Sequence, residues 1–502
     1  MSFRVGIGVL LMVSMTFALT VKGPKSLHDK ICIVGAGPSG IHMALSLKER
    51  GFTNIVILEK NSFVGGKSWT INHRGVAHEM GSVYLAPDYE DNVIPLVNKY
   101  MPNDLVILPP SAVWMDDLPG PIPYEQYLIG YAMKFFGTND IRVAGGKLGQ
   151  TIVQYIAKHN EIFGAYEGDL MPEPTPDNKV KIQGTFVDFL SRNNMLAMQC
   201  ILYASSSVQG YGRLDEIPAL YGLMWNTPKL MASLLQRLSG NTNGTGLYML
   251  RHGFKTLWER IIQAENLDVR FSSEIYRLYR SKTEPKVWLE VESSGTRKFN
   301  SYDFLIWSPE MKTSLPLWDA NVEERFYFSR SKPAFFTTAL VDTDGELRAP
   351  SPIDYWFDNI NKKRQHSLWA LRDSYGALHG YSGAMYQSKL YPSGNDGKQT
   401  RSQVTYQMGD EAPVYTELRH TLLNAMKTDL QASSVNVLYM KTWRYFPRFS
   451  HQDLADGMLW RILEMQGNHG MWYIGSSVSF ESVKSVVEYN KLLLKHFTVP
   501  TS

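Results

Sequence analysis

Hydrophobic and polar positions fall first into the rhythm of a strand–helix–strand unit. Ile31 to Val34 is a short apolar run, which predicts a strand buried on both faces of a parallel sheet. Ile41 to Lys48 follows with helical spacing, and Ile55 to Leu58 repeats the apolar run before Glu59. Beyond Gly81 that rhythm stops. Helix-period stretches at Gly149 to His159, Phe186 to Ser191 and Lys229 to Leu238 lie between proline clusters at 109–110, 119–123 and 172–176, predicting a mostly helical insertion. An amphipathic helix through Ile262 follows Arg251-His252-Gly253. Strands are then predicted at Val269 to Phe271, around Glu274-Ile275, at Val287 to Val291 and at Phe304 to Trp307. Runs at Ala334 to Val341, Ser367 to Leu371 and Val435 to Met440, with one helix over Tyr415 to Leu430, predict a second sheet. A last strand, Met471 to Gly475, precedes a helix from Ser482 to Phe497.

The first strand runs directly into Gly35, Gly37 and Gly40, spaced G-x-G-x-x-G with Ser39 among them. The first glycine allows the tight turn, the second lets a pyrophosphate approach the backbone, and the third lets helix and strand pack closely. The free N–H groups and positive end of the new helix then face the phosphates. Glu59 closes the second strand where a carboxylate would accept hydrogen bonds from an adenosine ribose. A glycine-rich turn alone marks only a βαβ connection. Strand, glycines, helix, strand and acid in this order predict a dinucleotide site.

Composition narrows the choice further. The chain of 502 residues is long enough for two or three domains, with a net charge of +3 and no run of five basic residues, so nucleic acid is not expected as a partner. Arg4, the apolar run Val5 to Ala18 and the small residues at Ala18-Leu19-Thr20 predict a secretory signal over residues 1–20, too short to span a membrane. The expected location is therefore the secretory pathway. The two cysteines, Cys32 and Cys200, are expected to be reduced rather than a disulfide framework. One sequon, Asn243-Gly244-Thr245, is a candidate glycosylation site. The twelve histidines show no metal-ligand spacing, and His42 reads as structural. Homo-oligomerisation is left open.

Two further segments, Val64-Gly65-Gly66-Lys67-Ser68 and Glu79-Met80-Gly81-Ser82, resemble the second fingerprint of the FAD-dependent amine oxidase and desaturase superfamily. The resemblance implies FAD as cofactor and an α/β fold. In it a Rossmann-like FAD-binding domain (24–82, 250–310 and 441–500) is joined to a discontinuous α+β substrate domain (83–249 and 311–440). It also implies cofactor contacts at Gly35, Gly37, Ser39, Gly40, Glu59, Gly65, Gly66, Lys67, Met80, Gly81, Ser82, Ile275, Gly475, Ser476 and Val483. One departure stands out: the acid that commonly follows the C-terminal glycine is replaced by Ser476-Ser477.

Finer resemblance lies in Gly210-Tyr211-Gly212, in Tyr445-Phe446-Pro447-Arg448-Phe449 and in Tyr473-Ile474-Gly475 with Ser479-Phe480. These segments look like the polyenoic fatty acid double-bond isomerases of red algae and their bacterial relatives that act on linoleate. The likeness implies conversion of free polyunsaturated fatty acids, such as arachidonate or eicosapentaenoate, to conjugated trienes. The flavin would take a hydride from the carbon between two double bonds and return it elsewhere, so no catalytic acid or base is expected. Tyr84, Tyr211 and Phe446 are the aromatic candidates for a substrate tunnel, and Arg213 is the candidate for its carboxylate. A carboxylate-binding arginine of the bacterial relatives has no counterpart in Pro109-Pro110-Ser111-Ala112-Val113-Trp114. The competing readings are a secreted FAD-dependent amine or amino acid oxidase that releases peroxide, and a flavin-free binding protein that kept the fold.

Overall fold

The computed structural model describes residues 19–164, 170–238, 246–281, 284, 286–345, 351–382, 385–386, 388–393 and 398–500. The expected signal over 1–20 falls almost wholly outside them, as does Asn243. Directly after it, Val21 is buried and bridges Phe497, while Trp472 Nε1 donates to the Lys22 carbonyl at 2.6 Å.

The apolar run Ile31–Val34 is the central strand of a five-stranded parallel sheet, flanked by Ile55–Leu58 on one side and Phe304–Trp307 on the other. Asp268–Arg270 and Met471–Tyr473 form its edges. All four central residues are buried, as a strand covered on both faces requires. The first helix starts earlier than its apolar spacing suggests, at Pro38, and runs to Glu49, because proline at the first turn gives up only an N–H that has no helical partner. It packs on the C-terminal helix Val483–His496, and Asn490 Nδ2 donates to the Ser39 carbonyl at 2.8 Å between them. His42 also faces Asn490, and burial pushes its pKa down to about 3, so it is neutral and structural. Cys32 and Cys200 are both free and buried.

A second, eight-stranded sheet runs in the order Val435–Arg448, Lys332–Thr343, Lys398–Gly409, Leu368–Asp373, Ile353–Tyr355, Ala112–Val113 and Ile122–Pro123, with Tyr391–Ser393 added on Lys398–Gly409. Tyr124–Phe136 packs on its Ala112–Val113 and Ile122–Pro123 edge, and Ile141–Phe163 packs in turn on Tyr124–Phe136 and Pro228–Leu238; Gln199–Ser205 and Ala219–Trp225 belong to the same helical insertion. The predicted helix at Gly149 to His159 is the middle of the 23-residue Ile141–Phe163, which Asp140 caps by accepting from the Arg142 and Val143 N–H groups. Ser273–Arg280, Val287–Ser293 and Thr296–Tyr302 form a separate antiparallel meander beside the first sheet.

Candidate active site

Strand ends of the five-stranded sheet converge on one place. Gly35 follows Val34, Glu59 follows Leu58, Ser308 follows Trp307, and Gly475 stands two residues past Tyr473; all four line a single cavity of about 550 Å³. This is the crevice where neighbouring connections leave in opposite directions, the position at which an open α/β sheet receives a ligand.

Backbone, rather than side chains, builds its floor. Gly66 has φ of +53°, and a Cβ there would lie 3.2 Å from the Cα of Gly37, so the two glycine loops meet backbone to backbone beside the cavity. Glu59 is oriented by its own neighbourhood. Its Oε2 accepts from the Ala36 N–H at 2.8 Å, and its Oε1 accepts from Asn61 N at 2.8 Å and Asn61 Nδ2 at 2.7 Å. With two lone-pair sites per oxygen, Oε2 keeps one for a ribose hydroxyl. Across the cavity, Ser482 caps the helix Val483–His496 by accepting from Ser485 N–H at 3.0 Å, and Ser482, Val483 and Val486 place the positive helix end in the wall. A side-chain-free cradle, an oriented acid and a helix N-terminus together fit a dinucleotide.

Of the expected cofactor contacts, Gly35, Gly37, Ser39, Glu59, Gly66, Lys67, Gly81, Ser82, Gly475, Ser476 and Val483 line the cavity. Gly40, Gly65, Met80 and Ile275 do not. Gly40 lies against the Gly35 carbonyl, where a Cβ would overlap it, and Gly65 stands likewise over the Ser68 carbonyl. The Met80 side chain is buried, while its carbonyl accepts from Thr338 Oγ1 at 2.9 Å and Trp443 Nε1 at 3.0 Å. Ile275 belongs to the meander and pairs with Val291. Ser476, which follows Gly475 where related chains commonly carry an acid, faces the cavity, while Ser477 Oγ accepts from the Met311 N–H at 3.1 Å.

Away from the glycines the wall turns apolar. Leu108, Ile201, Ala204, Val208, Leu230, Leu234 and Leu247 line an arm closed by Tyr84, Tyr211, Trp225, Phe336, Tyr355 and Tyr445. Of the tunnel candidates, Tyr84 and Tyr211 line this arm. Phe446 does not. It packs behind Tyr211, with ring centroids 5.4 Å apart, and against Phe480 at 4.8 Å and Tyr221 at 5.1 Å. Its φ of +48° turns the side chain out of the strand alternation, and Glu481 Oε2 secures that turn by accepting the Phe446 N–H at 2.9 Å and pairing with Lys67 Nζ at 2.6 Å.

Arg213 is also displaced from the expected role. Its guanidinium pairs with Asp215 at 3.0 Å, with Asp410 at 3.3 Å and with Glu216, a saturated cluster outside the cavity lining. Beside Asp410, burial and like charge raise Glu216 to about 7. Phe336, Tyr355, Glu481 and Arg237 line the cavity without having been expected there. Phe336 was visible only as one apolar residue of a strand. Among the described residues no three metal-ligating side chains converge, and no helix is long and apolar enough to cross a membrane.

Comparison with known proteins places this geometry in context. The polyenoic fatty acid isomerase of Ptilota filicina is 22% identical over 503 residues, covering 93% of this chain and 95% of that protein. The crystal structure of a CLA-producing fatty acid isomerase from P. acnes superposes with a TM-score of 0.73 at 22% identity, covering 94% of this chain and all of that one. A putrescine oxidase bound to putrescine superposes with a TM-score of 0.59 at 13% identity, covering 94% and 98%. The family described as flavin containing amine oxidoreductase matches residues 38–314, from the first helix through Gly66 and Gly81. That span is more than half of the chain and holds Glu59, Gly66 and Gly81 of the dinucleotide cradle; the chain belongs to the flavin containing amine oxidoreductases, and FAD is its cofactor.

Proposed function

We propose that the protein is an isomerase that moves the double bonds of free polyunsaturated fatty acids, such as arachidonate or eicosapentaenoate, into conjugation. One observation carries the reading: a single cavity joins the FAD cradle to an apolar arm on which no carboxylate stands. The acidic residues of the lining are Glu59, Glu310 and Glu481, and each is engaged. Glu59 holds backbone N–H groups, Glu310 pairs with Arg444 at 2.9 Å, and Glu481 pairs with Lys67 at 2.6 Å. A cationic amine would meet no free carboxylate on the arm, whereas an acyl chain meets a matching wall. The relative from Ptilota filicina, aligned over nearly the full length of both chains, supports the same substrate class.

Bound FAD supplies reversible two-electron exchange. The chain's own residues bind, orient and keep dry. Glu59 would accept ribose hydroxyls, and the Gly37 and Gly66 backbones would admit the pyrophosphate. Tyr211, Trp225, Phe336 and Tyr445 wall the reacting segment from water, which fixes its position against the cofactor. An isomerisation leaves the substrate's formula unaltered, so no side chain need deliver a proton to solvent.

Incubation of the purified holoenzyme with arachidonate or eicosapentaenoate under anaerobic conditions is expected to give growing conjugated-triene absorbance without peroxide. Peroxide released on addition of amines, with flat absorbance for every polyene, would instead identify an oxidase. The apolar run Val5 to Ala18 and the Asn243 sequon further support a secreted, glycosylated form. Expression in a eukaryotic host should deliver protein to the medium with a mass that falls on enzymatic deglycosylation.

A further inference from the structure

Five cationic side chains line the cavity, and four are accounted for. Lys67 pairs with Glu481 at 2.6 Å and Arg444 with Glu310 at 2.9 Å. Lys60 follows Glu59 at the ribose end and is exposed, and exposed Lys441 lies over the Trp443 ring at 5.3 Å. Arg237 is different. It projects from the helix Pro228–Leu238, whose Leu234 and Leu230 supply the apolar arm one and two turns earlier.

Among the described residues its guanidinium makes one hydrogen bond, to the Pro109 carbonyl at 3.5 Å, and no ion pair. A guanidinium carries five N–H donors, so most of its bonding capacity is unspent. Around it the wall becomes polar in a way suited to an anion. Ser111, Tyr124 and Tyr355 line the cavity with it; burial raises the pKa of both phenols, and the Arg237 charge opposes that rise. A partly buried cation beside apolar surface is costly unless an opposite charge joins it.

We propose that Arg237 is the head-group clamp of this cavity: its guanidinium binds the terminal carboxylate of the acyl chain, with the Ser111 and Tyr355 hydroxyls bordering the same site. The assignment rests on the fatty acid reading above and replaces Arg213 in the expected role. It makes the enzyme selective for free acids over esters and alcohols of equal chain length, because only the carboxylate forms charge-assisted hydrogen bonds.

The test is equilibrium binding to the holoenzyme of stearate and of octadecanol, neither of which has a double bond, read by quenching of the cavity tryptophans Trp69, Trp225 and Trp443. Stearate should bind the native protein more tightly than octadecanol. In Arg237→Gln, stearate affinity should fall about 10- to 100-fold, the range expected for hydrogen bonds to a charged group, and the acid-to-alcohol ratio should collapse towards one. Arg237→Lys should recover part of the ratio. Stearate binding that survives Arg237→Gln, or equal weakening of acid and alcohol, would overturn the clamp. Polyene turnover separates the two ideas. Arg237-dependent stearate binding without conjugated product sinks the isomerase and leaves the clamp, whereas conjugated product with Arg237-independent binding sinks the clamp alone.

Discussion

Replacing Gly81 by alanine is expected to yield protein without bound flavin and to cost about 3 kcal/mol of stability, the upper part of the usual range for a side chain forced into filled space. A Cβ at this position would overlap the Lys67 carbonyl oxygen, which accepts the Ser82 N–H at 3.1 Å. Neither side can move away. The Met80 carbonyl, one residue back, is held by Thr338 and Trp443 of the large sheet at 2.9 and 3.0 Å. Lys67 is held by Glu481 at 2.6 Å. The methyl group must therefore separate two segments that both line the FAD cavity. Gly130 is the control. It lies inside the helix Tyr124–Phe136, and a Cβ there would meet nothing within 4 Å. Gly130→Ala should stabilise the protein by about 0.5–1 kcal/mol, as alanine does when it replaces glycine within a helix. The ratio of visible flavin absorbance to protein absorbance, with the denaturation midpoint, checks both variants. Full flavin content in Gly81→Ala would remove the packing argument.

The cofactor half of the site was legible because backbone requirements fix its residue types. A tight turn, a close approach and a helix–strand contact each demand glycine at a set spacing, and Glu59 needs only to end a strand. Long-range polar bonding is what hid the substrate half. In Lys398–Gly409 only the short stretch Val404, Tyr406, Met408 alternates as apolar positions, yet the whole is a central strand in which the intervening Gln403, Thr405 and Gln407 are buried too. Gln407 Nε2 donates to the His366 carbonyl at 2.8 Å and the Leu418 carbonyl at 3.1 Å, partners that no local pattern announces. Val435–Arg448 likewise outruns its predicted end at Met440, because Lys441, Trp443 and Arg444 face the cavity rather than a core. Phe446 was placed in the tunnel by its position in a family-like motif, and its left-handed φ turns the side chain away from the cavity. Arg237 lay within the predicted helix Lys229 to Leu238, but its place depends on Pro109, Tyr124 and Tyr355, brought to it only by the fold.

Removing the Glu324 carboxylate is expected to be among the most damaging changes away from the cavity, at about 3 kcal/mol, the low end of the range for breaking a buried ion pair, because it leaves a buried guanidinium with the partly exposed Asp319 as its one remaining carboxylate. Arg280, at the end of the meander strand Ser273–Arg280, donates from its Nη2 to Glu324 Oε2 at 2.8 Å and from its Nε to Asp319 at 2.8 Å. Glu324 is wholly buried, and its second oxygen accepts from the Tyr473 hydroxyl on the edge strand of the five-stranded sheet. Burial alone would raise the Glu324 pKa, but the hydrogen bonds and charge of Arg280, with the Tyr473 hydroxyl, hold it below its ordinary value. A carboxylate whose folded pKa is depressed stabilises the fold above its unfolded value of about 4.3 and loses that contribution as pH falls through the folded value. The stability difference between native protein and Glu324→Gln, measured by denaturant titration, should therefore be full near neutrality and shrink below about pH 4. A difference that stays constant through that range would show that packing, not the ion pair, carries the effect. Paired replacement by Glu324→Leu and Arg280→Met should restore much of the loss, since no charge is then left buried without a partner. The single variant should also bind flavin more weakly. Tyr473 ends the strand that delivers Gly475 and Ser476 to the cavity, so loosening its hydroxyl anchor loosens that wall of the cofactor site.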